Sequence, residues 1–246
     1  MFQIFNKKKF LVDYLDGFVD IHNHILPGID DGATTVAQSL ELIKGFGEFG
    51  CKRFIATPHI MHNYYENDKE RILSALQKVK NELVANDLGT ISLQAAAEHM
   101  IDSNFESLLE EGRILPIFNN YLLVEMSYLQ ASINFDTAIQ KIASNRLFPI
   151  LAHPERYIFL HNRPKKHKTY KEKGILYQLN MLSLTEFYGK EVQKAAHKLL
   201  EENLIDFIAS DVHNINQLKE LKSSRVSKKT LDVLIPIINN TIINFS

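Results

Sequence analysis

A single cysteine, Cys51, stands in 246 residues, so the chain can close no disulfide on itself, as suits a reducing compartment. No run of 18 apolar residues occurs, whereas a membrane-spanning helix needs about 20. The N-terminus, MFQIFNKKKF, is basic but lacks the apolar stretch of about 7 to 15 residues that a secretory signal carries. A cytoplasmic protein without membrane insertion is the expectation. Excess charge of either sign is missing too: 28 Lys and Arg against 29 Asp and Glu leave a net −1, which gives no general reason to bind nucleic acid. Repeats, low-complexity segments and Pro/Gly/Ser-rich linkers are also absent. The chain therefore reads as one domain over residues 1–246, with residues 1–16 as an N-terminal extension.

What recurs is a short run rich in Ile, Val, Leu and Phe, ending in a polar residue and followed by helical periodicity. Seven such runs are present: 17–21, 53–57, 91–97, 121–124, 148–152, 175–179 and 206–210. Between the first two, Val36, Leu40, Ile43 and Phe46 form one apolar helical face; Thr34 or Thr35 is placed to cap its start and Gly50 to end it. Ile72, Leu76, Val79 and Leu83 make a second stripe, and Val192, Ala195, Leu199 and Leu200 a third. Continuous apolar strands alternating with helices imply a parallel sheet, and about seven such units favour an α/β barrel over an open sheet.

The polar residues just past these runs are chemically selective. They are His22 and His24, then His59, Glu98, Glu125 and His153, and finally Asp211 with His213; Asp31 lies in the first loop. In a βα barrel the C-terminal strand ends converge on one face, so residues distant in sequence can meet there. A lone HxH pair is more often structural than metal-binding. Here, however, five of the ten histidines and three acidic residues fall just past predicted strands. Imidazole nitrogen mixed with carboxylate oxygen suits Mn, Fe or Zn, whereas an all-oxygen set would suit Mg or Ca. Nine candidate ligands exceed the needs of one ion, which points to two or three divalent transition-metal ions sharing a carboxylate.

Other histidines read as structural. His161, His167 and His197 lie in helical or charged stretches and are expected in solvent, and His62 in a loop. His99 follows Glu98, so strand alternation turns it away from the face Glu98 uses. In the first loops, Ile25, Leu26, Tyr64 and Tyr65 are expected near the mouth of the pocket, where they would present apolar and aromatic surface.

The segments DIHNHILPGIDDG, ATPH, AAAEH, LLVEM, LAHPERY and ASDVHN occur in this order over residues 20–214. The set resembles the polymerase-and-histidinol-phosphatase (PHP) superfamily, and within it the bacterial capsule and exopolysaccharide tyrosine phosphatases, for which HILPGIDDG and HPERY are the discriminating parts. That resemblance implies an α/β fold of PHP type, a distorted seven-stranded TIM-like barrel holding three ions. One ion would take His22, His24, Glu98 and Asp211. A second would share Glu98 and add Glu125 and His153, and the third would use Asp31, His59 and His213. It also implies a metal-activated hydroxide as nucleophile, with Arg156, Asp211 and His213 as catalytic residues, manganese as the leading metal, and the phosphotyrosine tail of a bacterial tyrosine kinase as partner.

Arg156, three residues past His153, suits bidentate phosphate binding. Many relatives carry another arginine shortly after the DxH element; here Gln217, Lys219 and Lys222 precede Arg225, and Lys219 is the candidate replacement as a point charge. A thiolate mechanism is excluded, because it needs arginine six positions after the cysteine and Cys51 has Thr57 there. Two alternatives remain. One is a small-molecule phosphomonoesterase of the histidinol-phosphatase kind; the other is a non-catalytic metal-binding module, whose sign would be a lost ligand.

Overall fold

The structure, a computed structural model, describes residues 8–246; the first seven residues of the expected N-terminal extension lie outside the described residues. Each of the seven apolar runs forms a strand. In chain order the strands are β1 (Lys9–Phe10), β2 (Val19–Asp20), β3 (Arg53–Ala56), β4 (His59–Ile60), β5 (Ser92–Ala95), β6 (Glu98–Met100), β7 (Tyr121–Glu125), β8 (Phe148–Ala152), β9 (Leu176–Asn180), β10 (Phe207–Ala209) and β11 (Arg225–Val226). The second and third runs each continue into an additional short strand, β4 and β6. At Pro58 no amide hydrogen is available for a ladder, and pairing changes there: β3 runs beside β5, whereas β4 pairs with β6 in another sheet.

One sheet has the order β2-β3-β5 and the other β10-β9-β8-β7-β6-β4, and every pairing in both is parallel. Backbone bonds link the two sheets. Beyond β2 and β10, Asn23 bridges Val212 in parallel, with His24 N donating to Val212 O at 3.0 Å and Asp211 N to His22 O at 2.8 Å. The buried Asp20 carboxylate accepts from Ser210 N and Oγ at 2.9 and 2.6 Å. The first and last strands of the parallel set are thereby tied together 190 residues apart in sequence.

Helices cover the outside. Val36–Gly47 is capped by Thr35, whose side chain accepts from Gln38 N, and Lys69–Ala85 by Asp68, which accepts from Arg71 N. Gly50 ends the first connection at φ +84°, where a Cβ would lie 2.1 Å from Asp16 Oδ1. Residues 9–15 belong to the packed body: β1 pairs with β11, and Leu11 and Leu15 are buried.

Inside the sheets lies a second apolar layer that includes Ile55, Ala96, Leu123, Ile150, Ala152, Phe207, Ala209 and Phe245. At the N-terminal strand ends Tyr121, Phe207 and Phe245 pack together, with ring centroids 5.0 to 5.7 Å apart. Side chains of alternate residues point the same way along a strand, so β7 gives Leu123 to this floor and Glu125, two residues on, to the opposite end. Ala96 and Glu98 repeat the spacing.

Candidate metal centre

All nine predicted ligands come together at the C-terminal strand ends. Four sets of ligand atoms lie mutually within 4.8 Å: His24, Asp31, His59 and His213; His22, His24 and Asp211; His22, Glu98 and His153; and His59, Glu98 and Glu125. Glu98 belongs to two sets, as do His22, His24 and His59. The grouping also joins His153 to His22 and His59 to Glu125, pairings the family pattern does not imply.

The loop from His22 to Gly32 is held down by its own residues. Gly32 is required because a Cβ there would lie 2.0 Å from His24 O and 2.5 Å from His24 Cβ, so only glycine lets the Asp30–Asp31 turn rest on His24. Two other ligands, His153 at φ 34° and Asp211 at φ 52°, adopt left-handed backbone conformations. Such strain persists where the surroundings enforce it, and it concentrates at functional sites.

Hydrogen bonding fixes which nitrogens are free to ligate. Gln178 Nε2 donates to Leu179 O at 2.8 Å, which aims its Oε1 at His22 Nδ1, 2.8 Å away. His24 Nδ1 donates to Asp30 Oδ2 at 2.7 Å, and His213 Nδ1 to Asp211 O at 2.9 Å. With Nδ1 protonated, each neutral ring presents a lone pair at Nε2. The Nε2 atoms of His22 and His24 face each other at 3.3 Å, and both approach Glu98 Oε2, at 3.1 and 3.5 Å, and Asp211 Oδ1, at 3.3 and 3.4 Å. His59 Nδ1 lies 3.1 Å from Glu98 Oε2 and 3.0 Å from Glu125 Oε1, and His153 Nε2 lies 3.0 Å from Glu98 Oε1.

Several of these atoms, His59 Nδ1, Glu98 Oε2 and Glu125 Oε1, are buried without a hydrogen-bond partner. Lone pairs of nitrogen and oxygen converging on one another inside a protein is the arrangement cations satisfy. The residues present therefore fit divalent metal ions with nitrogen and oxygen ligands. Electrostatics agree: burial pushes the Glu98 carboxyl up, but His22, His59 and the His153 hydrogen bond outweigh it and hold the group well below the usual range. Asp211 behaves alike, burial opposing and His22, His24, His213 and Arg156 prevailing.

Arg156 completes the cavity. Its guanidinium lies between the rings of Tyr128 and Tyr188, 4.4 and 4.3 Å from their centroids, and Nη1 donates to Asp211 Oδ2 at 2.7 Å. Asn180 Nδ2 donates to the same oxygen at 2.7 Å. Two aromatic faces and a carboxylate thus hold the group in one plane, with its remaining N–H donors available to an anion. Asp31, His59, Glu98, Arg156 and His213 line one cavity of about 270 Å³.

Several expectations are corrected. Ile25 and Leu26 are fully buried in the core, because the loop they start folds back under His24, so neither lines the mouth. Tyr65 does reach it, stacked on His59 with 5.4 Å between centroids and 14° between planes, and Tyr64 is exposed beside it. His167 is buried rather than solvated, its Nδ1 against Tyr177 Oη at 3.1 Å, since its helix turns that face to the core. Lys219 lies on the exposed side of helix Ile215–Ser223, whereas Gln217 lines the cavity and accepts from His213 N at 2.6 Å. His99 faces away from Glu98 as alternation requires, between Leu123 O and Leu115 N.

Asp30, Gln178, Asn180, Tyr128 and Tyr188 escaped the sequence reading. Asp30 alone carried a signal, because DDG offers two carboxylates beside the HxH pair. The other four touch the site only through the tertiary fold.

Fold and site together define a parallel α/β protein with a buried His/carboxylate cluster that fits divalent metal. Residues 18–229 match the family described as capsular polysaccharide synthesis, CpsB/CapC, and the chain belongs to that family. Tyrosine-protein phosphatase YwqE of Bacillus subtilis (strain 168) is 30% identical over 198 residues, covering 80% of this chain and 78% of the relative. Tyrosine-protein phosphatase CpsB of Streptococcus pneumoniae is 29% identical over 207 residues, covering 80% and 84%. Among solved structures, one from work on YwqE of Bacillus subtilis and CpsB of Streptococcus pneumoniae, described as metal-dependent tyrosine phosphatases, superposes with a TM-score of 0.78 at 26% identity, covering 93% of this chain and 95% of that one. The lactonase Lmo2620 of Listeria monocytogenes, at 12% identity and a TM-score of 0.56, shares the fold alone.

Proposed function

We propose that this chain is a metal-dependent protein-tyrosine phosphatase of capsule or exopolysaccharide synthesis, located in the cytoplasm and acting on the phosphotyrosine tail of a bacterial tyrosine kinase. The observation that carries the reading is the cavity lined by Asp31, His59, Glu98, His153, Asp211 and His213 together with the Arg156 guanidinium, with Tyr65 stacked on His59 in the adjoining one. The fold reading is the distorted seven-stranded barrel. Its support is the seven strand positions and the backbone bonds tying residues 22–24 to 211–212.

His22, His24, Asp31, His59, Glu98, Glu125, His153, Asp211 and His213 would hold two or three divalent ions, manganese before iron or zinc. When bound, such ions neutralise phosphoryl charge and make water a nucleophile near neutral pH. Arg156 takes the phosphoryl oxygens in a forked grip and strengthens it as charge builds in the transition state. Asp211 and Asn180 keep that arginine in place, and Tyr128 and Tyr188 hold its plane. Tyr65 offers the substrate ring an aromatic face, continuing the stack already formed with His59. Phenoxide is a better leaving group than an alkoxide, so the site works on aryl phosphate without a strong general acid.

After metal removal and replacement, phosphotyrosine peptides should exceed phosphoserine peptides and histidinol phosphate in kcat/KM by at least ~10-fold, or ~1.4 kcal/mol. Arg156→Ala should lower the rate on every phosphomonoester by roughly 10²-fold or more, and Arg156→Lys should not restore it. Equal or faster turnover of histidinol phosphate would reject the protein-phosphatase reading.

A further inference from the structure

The cavity at the metal centre does not end at its aromatic rim. Through Asp31, His59 and Tyr128 it joins a second cavity of about 470 Å³ beneath Tyr64 and Tyr65. That space in turn shares Met100, Asp102 and Ser127 with a third of about 480 Å³, whose outer wall is the segment from Ser127 to Asn134. The three lie in a row with shared walls, leading away from the ligands.

Asp102 is the saddle between the second and third cavities. Its Oδ2 accepts from His62 N and its Oδ1 from Asn104 N, both at 2.8 Å, so backbone amides fix the carboxylate. Asn134 Nδ2 donates to Asp102 O at 3.0 Å and to Glu106 Oε1 at 3.2 Å, fastening the outer wall to the floor. Glu106 is paired with Lys141. Apolar surface follows beyond the saddle: Ile133 is 105% exposed and lines the cavity with Ala131 and Met100. Ile133 thus offers an accessible apolar side chain beside Ala131 and Met100 in the cavity farthest from the ligands.

We propose that this row of cavities binds the polypeptide beside the phosphotyrosine, and that Ile133 and Asp102 select its sequence. The inference rests on the phosphatase reading above. With the phosphoryl group at Arg156 and the ring against Tyr65, the chain on one side passes over Asp102 and lays its next side chains on Met100, Ala131 and Ile133. Apolar or small residues bind well there. Acidic ones are repelled by Asp102, whose carboxylate is held by backbone amides in the wall that the two cavities share.

The test compares 4-nitrophenyl phosphate, which ends at the ring, with two phosphotyrosine peptides, one flanked by alanine and leucine and one by glutamate. Wild-type enzyme should prefer the apolar peptide. Ile133→Glu should cut the ratio of apolar-peptide to 4-nitrophenyl phosphate kcat/KM about tenfold, mainly through KM, as expected for losing one buried aliphatic contact. Asp102→Asn should narrow the gap between the two peptides. Hydrolysis of all three substrates with an unmoved ratio in Ile133→Glu, and equal turnover of both peptides by wild type, would overturn the peptide site and leave the phosphatase intact. Failure of the metal-loaded protein to hydrolyse 4-nitrophenyl phosphate would overturn both.

Discussion

At the N-terminal ends of the strands, Phe207 meets Tyr121 and Phe245 edge to face, and these rings pack within an apolar layer. At the C-terminal ends of the same strands, Glu98, Glu125, His153 and Asp211 are just as buried, yet three of these four residues hold polar atoms with no hydrogen-bond partner. Burial of the first kind stabilises, by about 25 cal/mol for each Å² of apolar surface. Burial of the second kind costs free energy unless something charged satisfies it. One set of strands thus spends at its upper end part of the stability gained at its lower end.

The largest effect should come from breaking the upper end at its shared ligand. Glu98→Ala is expected to lower turnover about 10³-fold or more and to lose metal, because this carboxylate belongs to two ligand sets. Asp31→Ala, at a half-exposed carboxylate, should keep more metal. Elemental analysis alongside kcat reads both, and equal metal content in the two variants would refute the bridging role.

Breaking the lower end should do the reverse. Phe207→Ala removes a ring from a closed apolar layer and should cost about 3–5 kcal/mol of stability. Urea unfolding measures it, and kcat of the remaining folded protein should change little. A large loss of kcat at full stability would show that the two ends are not separable.

The smallest effect sharpens the boundary between the ends. His99 shares a strand with Glu98 but faces the apolar side, and burial pushes its pKa down to about 4. The native ring stays neutral to about that pH, whereas an unfolded chain takes up the proton near 6.5. Between these values the unfolded state binds more protons, so stability falls as pH falls from 6.5 to 4, by at most about 3 kcal/mol for this group. In chelator-treated protein, His99→Gln should flatten the pH dependence of unfolding across that window. An unchanged slope would assign acid sensitivity to the ligand cluster instead.

Periodicity and residue type made much of this legible. All seven apolar runs are strands, since an unbroken Ile/Val/Leu segment between turn residues has few other ways to bury itself. The convergence of the nine candidate ligands was legible because parallel strands bring all their C-terminal ends to one side, so chemistry placed after each run must meet there. What was not legible depends on approach between distant segments. Ile25 and Leu26 follow HxH as mouth residues would, but the loop turns them inward. His167 sits in a lysine-rich helix whose composition promises solvent, and only the docking of that helix buries it. The change of sheet at Pro58 needs a partner strand to be visible.

By itself the sequence determined the strands, their parallel arrangement and which side chains gather at the strand ends as candidate ligands, because each follows from local pattern and from the direction of the chain. Tertiary structure alone decided how the ligands divide into sets, which imidazole nitrogens are free and what holds Arg156. Those depend on Gln178, Asn180, Tyr128 and Tyr188, ordinary residues in the sequence. They acquire roles only when a hydrogen bond of under 3 Å or a ring within 4.5 Å is present, and such distances are set by packing between segments that no local pattern records.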